Sequence, residues 1–421
     1  MGILIVVLFA CFFIRHVQQS DYATQKRLLL GFIIAFVFSL ILNWYYCDIR
    51  QWQYGIPNSD MRNYFDAAYA LHEGAPISSL STINHAFKIG LSSFGYLLYS
   101  FFVCLVVFSP VVISTRLSLQ LLYTTQIIVA ILACDNIASF FSKDKKVRGR
   151  LYWMLLLNVA ILQESSILMR DIWIVFFISL LLKECTKNKP SIWLLVTYLA
   201  CTAILRNYTV IVTVPIFFAY GLKRKKLGIV FGLMILAFFL VGRRVISFAA
   251  TLIGVTGVNM DYAFTFDLKK IIAFFLYPNP LNQIRNMLSG ADYGYHAANT
   301  GDCAWIYYML SIWNMAVLPL AAYGIIKTLA EPKHISLFPP TDKYCSAWDV
   351  RDLTLWILIA ANITLLYAAA YDSMTAPRHK LMLLYSTCFL YLKGIERMNK
   401  RYDAIIAFAV LFINLLLFTI A

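Results

Sequence analysis

The feature that most constrains this chain is a succession of long apolar runs separated by short polar segments. As a helix, about 20 apolar residues cross roughly 30 Å of hydrocarbon. The runs show no inside/outside alternation. In lipid the backbone must satisfy its own hydrogen bonds, so such runs are α-helices and not barrel strands. Composition agrees: 61% of the 421 residues are hydrophobic and 14% are charged, with mean hydropathy +0.71. Soluble domains hold roughly half apolar and a quarter charged residues. The expected fold is therefore all-α and polytopic. It is read as a single membrane-embedded domain over 1–421 with about 12 transmembrane helices.

The net charge of +15 invites a nucleic-acid partner, but the basic residues do not form one patch. They sit in short clusters between apolar runs, the mark of cytoplasmic loops. These clusters are Arg15/Lys26/Arg27, Lys143–Arg150, Lys183–Lys189, Lys223–Lys226, Lys327–Arg351 and Lys393–Arg401. No nucleic-acid partner is expected. The nine cysteines lie mostly inside apolar runs without metal-like spacing, so they read as small core residues. Gly2 to Ile14 lacks a basic leader and an evident cleavage site, and reads as a retained first helix.

Threading helices between the basic clusters gives an orientation. Residues 28–46 leave the cytoplasm, and 48–114 form a first external loop with juxtamembrane helices. Spans follow at 151–169, 172–184, 192–206, 208–222 and 227–242. A second large external loop covers 243–302, and spans at 303–326, 353–371, 381–393 and 404–420 complete the chain. Two apolar runs, 94–113 and 117–141, lie where an odd number of crossings is needed. The first is broken by Ser109-Pro110 and is expected to be interfacial or re-entrant on the outer face.

This threading brings Asp60, Arg62, Arg170/Asp171, Arg206 and Arg378/His379/Lys380 to the external side. Charge near hydrocarbon is costly and tends to be paired or functional. Asp60 is followed by Tyr64, Ala68, Leu71 and Gly74 at helical spacing. Ser59 or Asp60 can cap that helix, and a carboxylate there can also serve as a general base. Arg170/Asp171 is either a snorkelling pair at a helix end or a phosphate-binding Arg beside a positioning Asp. Glu164, inside an apolar run, must be paired, neutral or catalytic. Arg206 ends a helix and reads either as a snorkelling cation or as a second phosphate ligand. The cluster Arg378/His379/Lys380 opposes both the charge bias of topology and the helix dipole, which an anionic ligand or an anionic headgroup would offset.

No Gly-rich phosphate loop, HExxH or DxD occurs, so no metal or nucleotide cofactor is expected. In the segment 245–302, Tyr, Phe, Asn and Asp dominate. That mix suits a carbohydrate surface or an aromatic belt at the membrane interface.

Several of these elements, in their order, resemble the GT-C superfamily of polyprenyl-lipid-dependent glycosyltransferases. They are Asp60-Tyr64-Ala68-Leu71-Gly74, the apolar run 94–113, Arg116-Leu117, a helix ending at the acidic Asp171, a helix ending at Arg206, and Arg378-x-Lys380. The likeness covers roughly 45–225 and 365–393. It implies a catalytic Asp60 in the first external loop, with Asp171 beside it. It also implies phosphate or substrate binding by Arg62, Arg170, Arg206, Arg378, His379 and Lys380. Two helices precede the loop where that superfamily usually has one, and Asp60 has no acidic neighbour. The extra helix and the large external loop resemble Wzy-type O-antigen and capsular polysaccharide polymerases. Both likenesses imply a polyprenyl-(di)phosphate-linked glycan donor, a glycan or lipid-linked acceptor, surrounding membrane lipids, no cofactor, and an external active site in a bacterial inner membrane. A glycan-lipid flippase is the alternative of a different class. It would place cations near mid-membrane and show internal repeats.

Overall fold

The computed structural model describes residues 2–206 apart from 57–59, 85–86, 88–90, 109–113, 143, 186 and 188–189. It also describes Thr209, Thr213 and Leu381. The described residues are mostly helical and contain no strand. They fall into two compact units. Met1–Leu180 and Ile204–Arg206 belong to the first; Leu181–Ala203 and the described positions beyond Arg206 belong to the second.

The first unit opens with α1 (Gly2–Gln18) and α2 (Tyr22–Trp44). The chain turns between them at Asp21, which caps α2 by accepting the Thr24 N–H. The Asp21 carboxyl is held below its ordinary 3.8, first by that N–H and further by Lys145 and Arg148, against some desolvation. A π-helical turn over Tyr45–Ile49 extends α2. Together they make a continuous apolar rod from Tyr22 to Ile49, long enough to cross a membrane. Its outer face exposes Leu29, Leu30, Ile33, Val37, Leu40 and Ile41, and α1 exposes Leu4, Val7, Leu8 and Phe12. Water-facing helices carry polar residues on such a face; this one has the character of a surface in contact with hydrocarbon.

α5 (Thr115–Phe141) is the other helix of spanning length. It is buried nearly all round, and α1, α2, α4, α6 and α7 pack against it. Polar rungs fix its antiparallel register on α2. Arg116 donates to Asp48 at 2.7 Å, and Asn43 donates to the Gln120 amide oxygen at 3.0 Å. Arg27 donates to Asp135 at 3.0 Å near the other end. A buried polar group without such a partner costs about 1–3 kcal/mol, so slipping this register by one turn is strongly disfavoured.

α3 (Asp60–His72) and α4 (Leu91–Val107) form a pair over one side of α5. α3 buries Tyr64, Phe65, Ala67 and Ala68, the face its spacing predicts. It stops at Gly74, whose φ of +79° a side chain would strain. α4 covers most of the run 94–113 and packs on α1, α3 and α5.

The expected single span over 151–169 is not formed. The chain makes α6 (Lys145–Leu156) and α7 (Val159–Ser165), breaks, and resumes as α8 (Asp171–Cys185). Asn158 restarts the helix by accepting the Ala160 N–H. At the second break, the Ser165 and Ser166 hydroxyls donate to the Leu162 carbonyl. Side chains that bond nearby backbone in this way offer it an alternative to helix. α9 (Ile192–Leu205) follows. In the second unit, Glu184 accepts the Ser191 N–H and pairs with Lys187 at 2.6 Å, ordering the turn after α8.

A buried arginine cluster beneath α3

The break between α7 and α8 is where the site forms. Its free backbone carbonyls need donors, and Gln126 supplies them from the interior of α5. The Gln126 amide donates to the carbonyls of Glu164 at 3.2 Å and Ile167 at 2.8 Å. Its oxygen accepts from the Tyr99 hydroxyl at 2.9 Å. At 1.5 Å rise per residue, Gln126 lies about 16 Å from the Thr115 end of a helix about 40 Å long. The break is therefore held well inside the bundle. Non-helical backbone at such depth requires protein around it.

Four charged side chains gather near this break, all almost fully buried: Glu164, Arg170, Asp171 and Arg206. Arg206 Nη1 stands 2.9 Å from Asp171 Oδ1, with the Asp171 side chain fully enclosed. Despite this distance, among the described residues neither Asp171 oxygen receives a hydrogen bond of good geometry. The ion pair is real by charge and distance, yet the carboxylate keeps accepting capacity. Asp171 also opens α8, where the positive end of the helix dipole favours a carboxylate.

Arg170 lies against the Tyr96 ring, with Tyr64 further off. Its guanidinium carbon is 3.9 Å from the Tyr96 ring centre and 6.0 Å from that of Tyr64. Tyr64 and Tyr96 stack on each other at 5.2 Å, and Tyr99 meets Tyr64 edge-on at 4.9 Å. These faces hold the cation without using its N–H groups. Among the described residues, Arg170 Nε and Nη1, the Tyr64 hydroxyl and Ser100 Oγ are buried and find no hydrogen-bond partner. Burial pushes the Tyr64 phenol well above its usual 10, with Arg170 pulling the other way. The phenol thus stays protonated and able to donate. The arrangement presents open donors beside an open carboxylate.

Gly95 makes the close approach possible. A methyl group there would meet the backbone carbonyls of Ile204 and Leu205, and Arg170 Nη1 at 2.8 Å. Beside the cluster runs an apolar groove of about 290 Å³ between α4 and α8. Tyr99, Phe102, Trp173, Phe177 and Leu205 are among the residues that line it.

Of the residues singled out from sequence, Arg170, Asp171 and Arg206 are brought together. Asp60 opens α3 one turn before Tyr64, on the same helix face. Arg62 is directed elsewhere: it pairs with Asp66 at 2.9 Å, donates to Gln53 at 3.0 Å, and lies over the Phe65 ring. It ties α3 to the preceding turn at Gln53–Gly55. Arg378, His379 and Lys380 lie outside the described residues, as does the second external loop at 243–302. Among the described residues, no group of three His, Cys, Asp or Glu could hold a metal ion. Sequence reasoning missed Gly95, Tyr96, Tyr99, Ser100 and Gln126. The available signal was a glycine and two tyrosines within a run otherwise dominated by aliphatic residues and phenylalanine.

No protein-family profile, curated protein or solved structure matches this chain.

Proposed function

We propose that the chain is a multi-pass membrane glycosyltransferase or polysaccharide polymerase that uses a polyprenyl-(di)phosphate-linked donor. It extends the two spanning helices described above to about 12 across the full chain. In this reading it resides in a bacterial inner membrane, works on the external face, and belongs with the GT-C-like enzymes or the Wzy-type polymerases.

The observation that carries the reading is Arg170. A fully buried guanidinium with unpartnered N–H groups is costly unless an anion completes it. A phosphate oxygen is such an anion, and Arg presents donors in the fork geometry that suits it. The apolar groove alongside suits a hydrocarbon tail. Asp171, with accepting capacity left, suits a hydroxyl of donor or acceptor glycan. Asp60 stands one turn before Tyr64, whose ring centre is 6.0 Å from the Arg170 guanidinium, and acts as general base toward the attacking hydroxyl. As that hydroxyl loses its proton to the carboxylate, it bonds to the anomeric carbon, and the polyprenyl phosphate departs toward Arg170 and Arg206.

The test uses purified protein in proteoliposomes charged with lipid-linked glycan extracted from the native membrane. Product glycan should form, and Asp60→Asn should slow it by about 10²–10⁴-fold while leaving thermal unfolding unchanged. Movement of the lipid-linked glycan between leaflets without product would replace this reading with the flippase.

A further inference from the structure

At the opposite end of α5 from Arg116 a second charged assembly closes the bundle, and the reaction above makes no use of it. Asp135, nearly buried, receives Arg27 at 3.0 Å and faces His16 at 3.4 Å. Thr24 Oγ1 accepts from two guanidinium groups, Arg148 at 2.6 Å and Arg27 at 3.4 Å. Lys145 Nζ is 3.6 Å from Asp21. The Arg27 guanidinium lies 5.1 Å from the Tyr152 ring centre. Gly149 lets α6 approach, since a methyl group there would meet Arg27 Nη1 at 3.3 Å.

The charges do not balance. Among the described residues, Arg27, Arg148 and Lys145 face only Asp135 and Asp21, with His16 beside Asp135. The only other carboxylate nearby in sequence, Asp144, is engaged with the Lys146 N–H at the start of α6. Two guanidinium groups converging on one hydroxyl oxygen repel each other. Among the described residues, Arg27 Nε, Arg148 Nε and the Tyr152 hydroxyl are buried without hydrogen-bond partners. Lys145 and Lys146 are exposed at the rim. One to two turns along α2 from this rim begins the exposed apolar face of Leu29, Leu30 and Ile33.

We propose that the α1–α2 turn and the start of α6 form a headgroup site for an anionic phospholipid. Lys145, Lys146 and Arg148 take its phosphate, and its acyl chains lie along the outer face of α2. The inference rests on the membrane reading above but not on glycan chemistry. A polar head over an apolar strip matches a phospholipid and no soluble anion. A basic residue at a membrane surface contributes about fivefold to the binding of acidic lipid.

The experiment places the full chain in nanodiscs of equimolar dioleoyl phosphatidylglycerol and dioleoyl phosphatidylcholine. Native mass spectrometry then counts the lipids that stay bound on release. The wild-type chain should retain phosphatidylglycerol preferentially. Lys145→Gln and Lys146→Gln, both at exposed positions and harmless to folding, should each lower that preference by about fivefold. Arg148→Lys should keep most of it. Arg116→Gln, which removes a cation at the far end of α5, should leave it unchanged. Absence of preference in the wild type, or an equal loss in Arg116→Gln, overturns the proposal. Release of the chain from membranes by alkaline carbonate would instead refute the membrane reading, so the two failures are distinguishable.

Discussion

Arg206 Nη1 and Asp171 Oδ1 face each other at 2.9 Å in the interior of the first unit. The pair joins the residue after α9 to the residue that opens α8. It sets a strong charge interaction where desolvation is most costly, so its two halves depend on each other.

Asp171→Asn and Arg206→Gln should therefore each destabilise the fold by about 3–5 kcal/mol, because each leaves its partner as an uncompensated buried charge. The double variant should cost less than the sum. Thermal unfolding of the detergent-solubilised protein measures all four corners of that cycle. Additive losses would show that the two charges are not coupled.

Arg170 is held by ring faces rather than by hydrogen bonds. Arg170→Lys keeps the charge but loses the planar fork and the flat stack on Tyr96. Binding of farnesyl phosphate, followed by tryptophan fluorescence from Trp173 beside the groove, should weaken by about tenfold, or ~1.4 kcal/mol. Tyr96→Leu should weaken it as well, since a cation over a ring contributes about 0.5–2 kcal/mol. Equal binding by wild type and Arg170→Lys would remove Arg170 from the site.

Gly95→Ala adds one methyl group against two backbone carbonyls and a buried guanidinium. The two carbonyls are backbone and cannot swing aside as a side-chain end can. Overpacking of this kind costs about 1–3 kcal/mol. The variant should melt earlier and lose farnesyl phosphate binding together. Gly74→Ala, where an added methyl group meets open space but φ is +79°, should destabilise without altering binding.

Asp21 should give the α2 start a pH dependence. Its folded carboxyl titrates below 3.8, so the unfolded chain binds the proton first on acidification. Stability from this group is complete above pH 3.8 and is lost as pH falls through the lower folded value. Asp21→Ser keeps a capping oxygen and should flatten that part of the stability profile. Unfolding midpoints read from pH 5 down to about pH 2 check it; identical profiles would mean that Asp21 does not titrate as placed.

The fold was legible where it depends on local pattern. The run before Trp44, the helix from Asp60 and the helix from Thr115 all follow from apolar spacing and end signals. The run 151–169 was misread, because its hydropathy looks continuous while Asn158, Ser165 and Ser166 redirect the backbone by side-chain hydrogen bonds. Those bonds become favourable only once Gln126, far away in sequence, accommodates the carbonyls that the break releases.

The candidate site divides in the same way. Sequence alone marked Arg170, Asp171 and Arg206 as charges at helix ends beside apolar runs, either snorkelling to the interface or paired and functional. Arg62 carried the same signal, yet tertiary packing turned it toward Asp66 and Gln53. Tertiary structure alone decided that Arg206 meets Asp171, that Tyr96 covers Arg170, and that Gly95 admits them both. Hydrophobic periodicity is a property of neighbours along the chain and is written in each helix separately. Which charge meets which is fixed by the register between helices, and that depends on close packing across segments distant in sequence.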